Sequence, residues 1–187
     1  AGNVGVATCA GDNTATTSGN SNTHSAVTDS GSNTWTKAYE WTVSAGAAAD
    51  GATVSVHFSK LTTALTSASS TITCNYGSSI TDRAMHLTGE FTITAGNVVS
   101  VAGSPQGENV TNADAGALTI SGLTSGEYLF VRGIATESNA ALSMTATASY
   151  SLPPDPIDGC NNTTGGGEAT DMGACSERRI FTGTGDT

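Results

Sequence analysis

A chain of 187 residues with 37% apolar content can build one core of ordinary size, but only 12% of its residues are charged and the balance is strongly acidic, at -10. The six cations, Lys37, Lys60, Arg83, Arg132, Arg178 and Arg179, are scattered apart from one adjacent pair, so no surface can neutralise a run of phosphates. Nucleic-acid binding and adhesion to anionic membranes are therefore not expected, and no apolar run has the length that spans a bilayer.

Threonine, serine and glycine dominate the composition and favour strands and turns over helix, since threonine is β-branched and serine and glycine compete with helical backbone. Residues 1–33 are rich in Gly, Ser, Thr and Asn and read as an extended polar arm that cannot fold alone. The arm starts AGNVGVATCAGDNTATTSGN, without a basic start or an apolar stretch of signal-peptide type. Its first alanine fits either an excised methionine or a signal-peptidase cut, which leaves the compartment open.

A β-sandwich is expected over 34–152. In TWTKAYEWTV the side chains of Trp35, Tyr39, Trp41 and Val43 share one parity, taken as the inward face, with Thr36, Glu40 and Thr42 outward. TVSVHFS follows, with Val54, Val56 and Phe58 inward and Ser55, His57 and Ser59 outward. TITCNY places Ile72, Cys74 and Tyr76 together, and GEFTITAG places Phe91 with Ile93. NVVSVAG, ALTISG and GEYLFVRGIA are further strand candidates, and ALSMTATASYSL is a last, long one. About eight strands separated by Gly, Asn and Asp turns predict an all-β antiparallel sandwich or jelly roll. PPDP at 153–156 closes it, because proline donates nothing to a ladder, and 153–187 reads as a Pro/Gly-rich tail.

The strand ending AYEWTVSAG, with the late GLTSGEYLFVRGIA and the strand ending SYSL, resembles the jelly-roll structural proteins of tailed bacteriophages, such as head decorations and spikes. It also resembles, more weakly, bacterial pre-peptidase C-terminal sandwich modules. The phage resemblance implies a virion-surface protein that assembles in symmetric copies through arm and tail and takes no cofactor. The second implies a secreted accessory module attached to an enzyme. Neither brings a catalytic residue to this chain.

The chemistry-bearing residues agree with a structural role. His24, His57 and His86 are too far apart for a compact zinc motif, and His57 is expected on an outward face. No G-x-S-x-G nucleophile turn occurs, and Glu40 and Glu90 form no evident carboxylate pair, so an enzyme is not expected. Trp35, Tyr39 and Trp41 would suit a sugar platform if exposed, but their parity with Val43 places them in the core. Asp155, Asp158, Glu168 and Asp171 lie near an oxygen-rich loop whose spacing matches no calcium motif, and no cofactor is expected.

Four cysteines permit three pairings. A Cys160 to Cys175 bridge would close a surface loop of about 15 residues and contribute about 3 kcal/mol, leaving Cys9 with Cys74 to pin the arm to the third strand; the other pairings stay open. Arg178, Arg179, Ile180 and Phe181 are the basic and apolar cluster of an otherwise polar tail, and so the expected partner contact. Asn109, Asn161 and Asn162 fit the glycan-acceptor pattern. The resulting expectation is a structural protein of a virion surface that contacts its own copies, other virion proteins or surface glycans. The alternatives are a secreted carbohydrate-binding or accessory module and a subunit of an extracellular filament or surface layer.

Overall fold

The computed structural model describes residues 2–12, 19, 24–43, 51–66, 69–76, 80, 82–108, 118–137, 142–153, 159–162 and 171–185. Among them are nine strands: β1 (Val4–Asp12), β2 (His24–Asp29), β3 (Thr36–Thr42), β4 (Ala52–Lys60), β5 (Ile72–Tyr76), β6 (Arg83–Phe91), β7 (Gly126–Glu137), β8 (Cys160–Asn162) and β9 (Met172–Gly183). Every ladder is antiparallel. The chain is all-β, as its composition predicts, and its sheets stack as a sandwich with an additional layer.

A four-stranded sheet, ordered β3-β4-β1-β6, lies between a two-stranded sheet, β2-β5, and a three-stranded one, β7-β9-β8. Parity along β1 assigns the two faces. Cys9 and Gly11 point at β2-β5, where Cys9 packs with Val27 and Cys74 and Gly11 lies against His24 and Tyr76. Ala10 points the other way and packs with Ala52, Ala84, Met172 and Ala174. Small side chains make this double cover possible. A Cβ at Gly5 would stand 3.2 Å from the Trp35 ring, one at Gly11 2.9 Å from Nε2 of His24, and one at Gly133 3.0 Å from Thr8. Close approach replaces bulk as the source of packing contact.

The arm and tail expectations are corrected here. Val4–Asp12 is not a polar arm but a middle strand of the central sheet, buried from Val4 to Gly11. It escapes an alternation test because both of its faces are covered. Nor is the end of the chain a tail: β9 pairs with β7 over twelve positions without a register shift. Of the proline stop at 153–156, Pro153 is buried and 154–156 lie outside the described residues.

Three segments with strand texture, 97–103, 117–122 and 141–152, form no ladder among the described residues beyond isolated bridges such as Ser151 to Arg178. Alternation marks an extended chain and does not say whether it has a neighbour to pair with. The segment from Leu142 to Tyr150 lies against the β7-β9 sheet, Leu142 against Gly173 and Thr147 bonded to Glu177, while Val98 is 87% exposed. The strand expected at GEFTITAG lies earlier, ending at Phe91.

Candidate functional site

The polar parity of β3 and β4 turns inward. Glu40, Thr42, Thr53, Ser55, His57 and Ser59 are all buried, so the outward placement of His57 and Glu40 is wrong. The apolar parity, Val54, Val56 and Phe58, is only half-buried and faces the β7-β9-β8 side, as Gly133 against Val54 and Val56 shows. A central sheet covered twice has no solvent face to receive its polar residues. Thr42 and Thr53 satisfy one another at 2.9 Å and, toward the other sheet, so do Thr8 and Thr88 at 3.0 Å, whereas the Ser59 hydroxyl meets no partner among the described residues.

Beneath β2-β5 these side chains form a connected cluster. Nδ1 of His24 lies 2.6 Å from Oγ of Ser55, which lies 2.9 Å from Nε2 of His57. A hydroxyl carries one proton, so Ser55 donates to one ring and accepts from the other, which couples the two tautomers. A register shift between Lys37 and Tyr39 brings Lys37 and Glu40 onto one face, where Nζ and Oε2 stand 2.7 Å apart. Both also hold the main chain of His24: Lys37 donates to its carbonyl at 3.1 Å, and its N–H donates to the Glu40 carboxylate at 3.3 Å. Nε2 of His24 meets no partner among the described residues, and the ring packs edge-on to Tyr76 with centroids 4.8 Å apart.

Burial, reinforced by the Lys37 charge, pushes the His24 pKa down to about 3. For His57, burial with the His24 and Lys37 charges outweighs the opposing Glu40 and brings the value to about 4. Both rings are neutral at pH 7. Burial also pushes the Tyr76 hydroxyl far up, with Arg83 acting against it.

A serine between two imidazoles beside a carboxylate has the parts of a nucleophilic site. The geometry uses them otherwise. His24, Ser55, His57 and Glu40 are each 1% exposed, and Glu40 holds the main chain of His24, not its ring as an orienting carboxylate would. The cluster ties β2 to β3 and β4. His86 does the same on the opposite face, reaching Ser176 of β9 at 2.8 Å. The three histidines thus fall into two places, and among the described residues no group of three or more His, Cys, Asp or Glu side chains could hold a metal ion.

Cys9 is bonded to Cys74, joining the central sheet to β2-β5, and Cys160 to Cys175. The latter pair sits at directly opposed positions of β8 and β9, so it staples a ladder. Arg178, Arg179, Ile180 and Phe181 are consecutive positions of β9. Arg178 donates to the Thr88 carbonyl at 2.9 Å with its guanidinium 5.4 Å from the Phe91 ring, and Arg179 lies 4.3 Å from the Phe181 ring. Ile180 alone of the four is well exposed, at 60%. Asn161 and Asn162 lie in β8, where the Asn161 amide donates to the Met85 carbonyl at 2.9 Å; Asn109 lies outside the described residues. Asp171 is buried, and Asp155, Asp158 and Glu168 lie outside the described residues.

Among the aromatic residues, Trp35 donates from Nε1 to Asp29 at 2.6 Å and packs against the Cys9 to Cys74 cluster. Tyr39 and Trp41 stack with centroids 6.2 Å apart, and Gly107 closes on the Trp41 indole. On the outer face of the β7-β9 sheet Glu177 accepts from Arg132 at 3.0 Å and from Thr147, while Arg132 covers the Tyr150 ring at 3.9 Å.

The chain matches no protein-family model, no curated protein and no solved structure.

Proposed function

We propose that this chain is a non-enzymatic structural protein of a virion surface, a capsid decoration or spike subunit that assembles with its own copies or with other virion proteins. The observation that supports a structural reading is the sealing of the His24, Ser55 and His57 cluster under β2-β5, which uses the residue types of a catalytic site as ties between layers. Two disulfides fit an extracellular or secreted protein, and one of them crosses the same layer boundary. A body fastened by covalent and polar ties suits a protein that is exposed and not renewed. Strands β1 and β9 belong to that body, so assembly is assigned to its surfaces and not to a free arm and tail.

A fluorophosphonate probe tests the non-enzymatic part. The folded protein is expected to carry no label at Ser55 by peptide mass mapping, and stoichiometric labelling that disappears in His57→Gln would overturn the reading. Retention of the monomer on a polysaccharide column would favour the secreted glycan-binding alternative.

A further inference from the structure

The edges of these sheets differ in how they are protected. Strand β3 carries a register shift and bridges Gly19 on its outer side. Strand β6 is irregular opposite Val6 and Ala7, and its main chain receives the Asn161 amide. The β2-β5 ladder is interrupted between His24 and Ala26, and β8 is three residues long. Bulges, short strands and covering groups are the usual devices that keep an edge from pairing with another chain.

Strand β7 has none of them. It ends its sheet, runs twelve residues in unbroken register with β9, and contains neither proline nor lysine. Among the described residues, no strand lies beside its outer edge, and no other segment hydrogen-bonds to its main chain from Gly126 to Thr136. Its sequence, GEYLFVRGIATE, is rich in the residues that pair well across strands.

We infer that the outer edge of β7 pairs antiparallel with β7 of a second copy, joining two three-stranded sheets into one of six strands about a two-fold axis. This rests on the assembly reading above. Charge selects the register. In a two-fold pair whose axis is normal to the sheet, opposed residues lie on the same face. Centring on Arg132 would set Arg132 against Arg132 and Glu127 against Glu137, which is repulsive on both counts. Centring on Val131 opposes no like charges and keeps the longest such ladder, from Gly126 to Thr136. It sets Arg132 against Phe130, Tyr128 against Ile134 and Val131 against itself. Arg132 is already held in place by Glu177 and Tyr150, so placing it against the Phe130 ring fixes no new rotamer.

The test combines sedimentation equilibrium of the full chain with amide hydrogen exchange at high and low protein concentration. The expected result is a reversible dimer in which alternate β7 amides exchange slowly when concentrated and fast after dilution. Ile134→Glu, at a position 37% exposed, should shift the mass to monomer, and adding Tyr128→Lys to the same chain should restore the dimer through the opposed pair. Far-UV circular dichroism confirms that each variant is folded. An oligomer whose β7 amides exchange freely, or one indifferent to Ile134→Glu, overturns the strand pairing and leaves the assembly reading standing. A monomer up to about 1 mM overturns both.

Discussion

Acid should weaken this protein well before its carboxylates titrate. His24 and His57 are held neutral with pKa values of about 3 and about 4, against an unfolded value of 6.5. A histidine depressed in the folded state binds its proton first in the unfolded chain. Its contribution is therefore complete above pH 6.5 and falls away as the pH drops toward the folded value. At about 1.4 kcal/mol per pH unit for each group, the fall from pH 6.5 to 5 costs about 2 kcal/mol per ring, or about 4 kcal/mol for both. That is a large share of the 5–15 kcal/mol typical of a folded domain. Urea denaturation followed by circular dichroism at pH 7, 6 and 5 reads the slope directly, and the His24→Gln, His57→Gln double variant should flatten it. A wild-type stability unchanged between pH 7 and 5 would refute the buried neutral pair.

Removing the disulfide between Cys9 and Cys74, whose sequence separation is 65, should cost about 4 kcal/mol by the chain-entropy model, measured as a fall in urea midpoint for the double alanine variant. Glu40→Ala removes the carboxylate that pairs with Lys37 and accepts from the His24 main chain; with the Lys37 side chain 26% exposed and open to hydration, about 1–3 kcal/mol should be lost, read from the same urea midpoint. Gly11→Ala would place a methyl 2.9 Å from Nε2 of His24 and 3.1 Å from Tyr76; a cost of about 1–3 kcal/mol is expected, with a shifted His24 ring resonance by NMR. If Gly11→Ala proves neutral, β2-β5 does not lie as close to β1 as described.

The all-β class was legible in the Thr, Ser and Gly content, and β3, β4, β5 and β7 stand where alternation places them. The inward and outward assignments for β3 and β4 failed because the rule of apolar inside assumes one solvent face, and this sheet has none. Strands β1 and β9 were hidden for related reasons. In the first, Gly, Ala, Val and Thr fill both faces without alternation; in the second, a charged run, Glu177 to Arg179, sits within a strand because Arg132, Thr88 and Phe91 receive it. Ser55 and His57, two apart on one strand, signal a shared face in the sequence alone. That His24 completes their cluster from another layer depends on the fold, and no spacing encodes it.

The virion-surface role proposed above makes this sandwich a repeated component of a particle exterior. Electron microscopy of native virions labelled with gold-conjugated antibody to the folded chain tests it most directly. Gold is expected at regular, symmetry-related positions on the particle exterior, with the chain present in many copies per particle. Unlabelled particles, with the chain recovered only as a free soluble monomer, would contradict it.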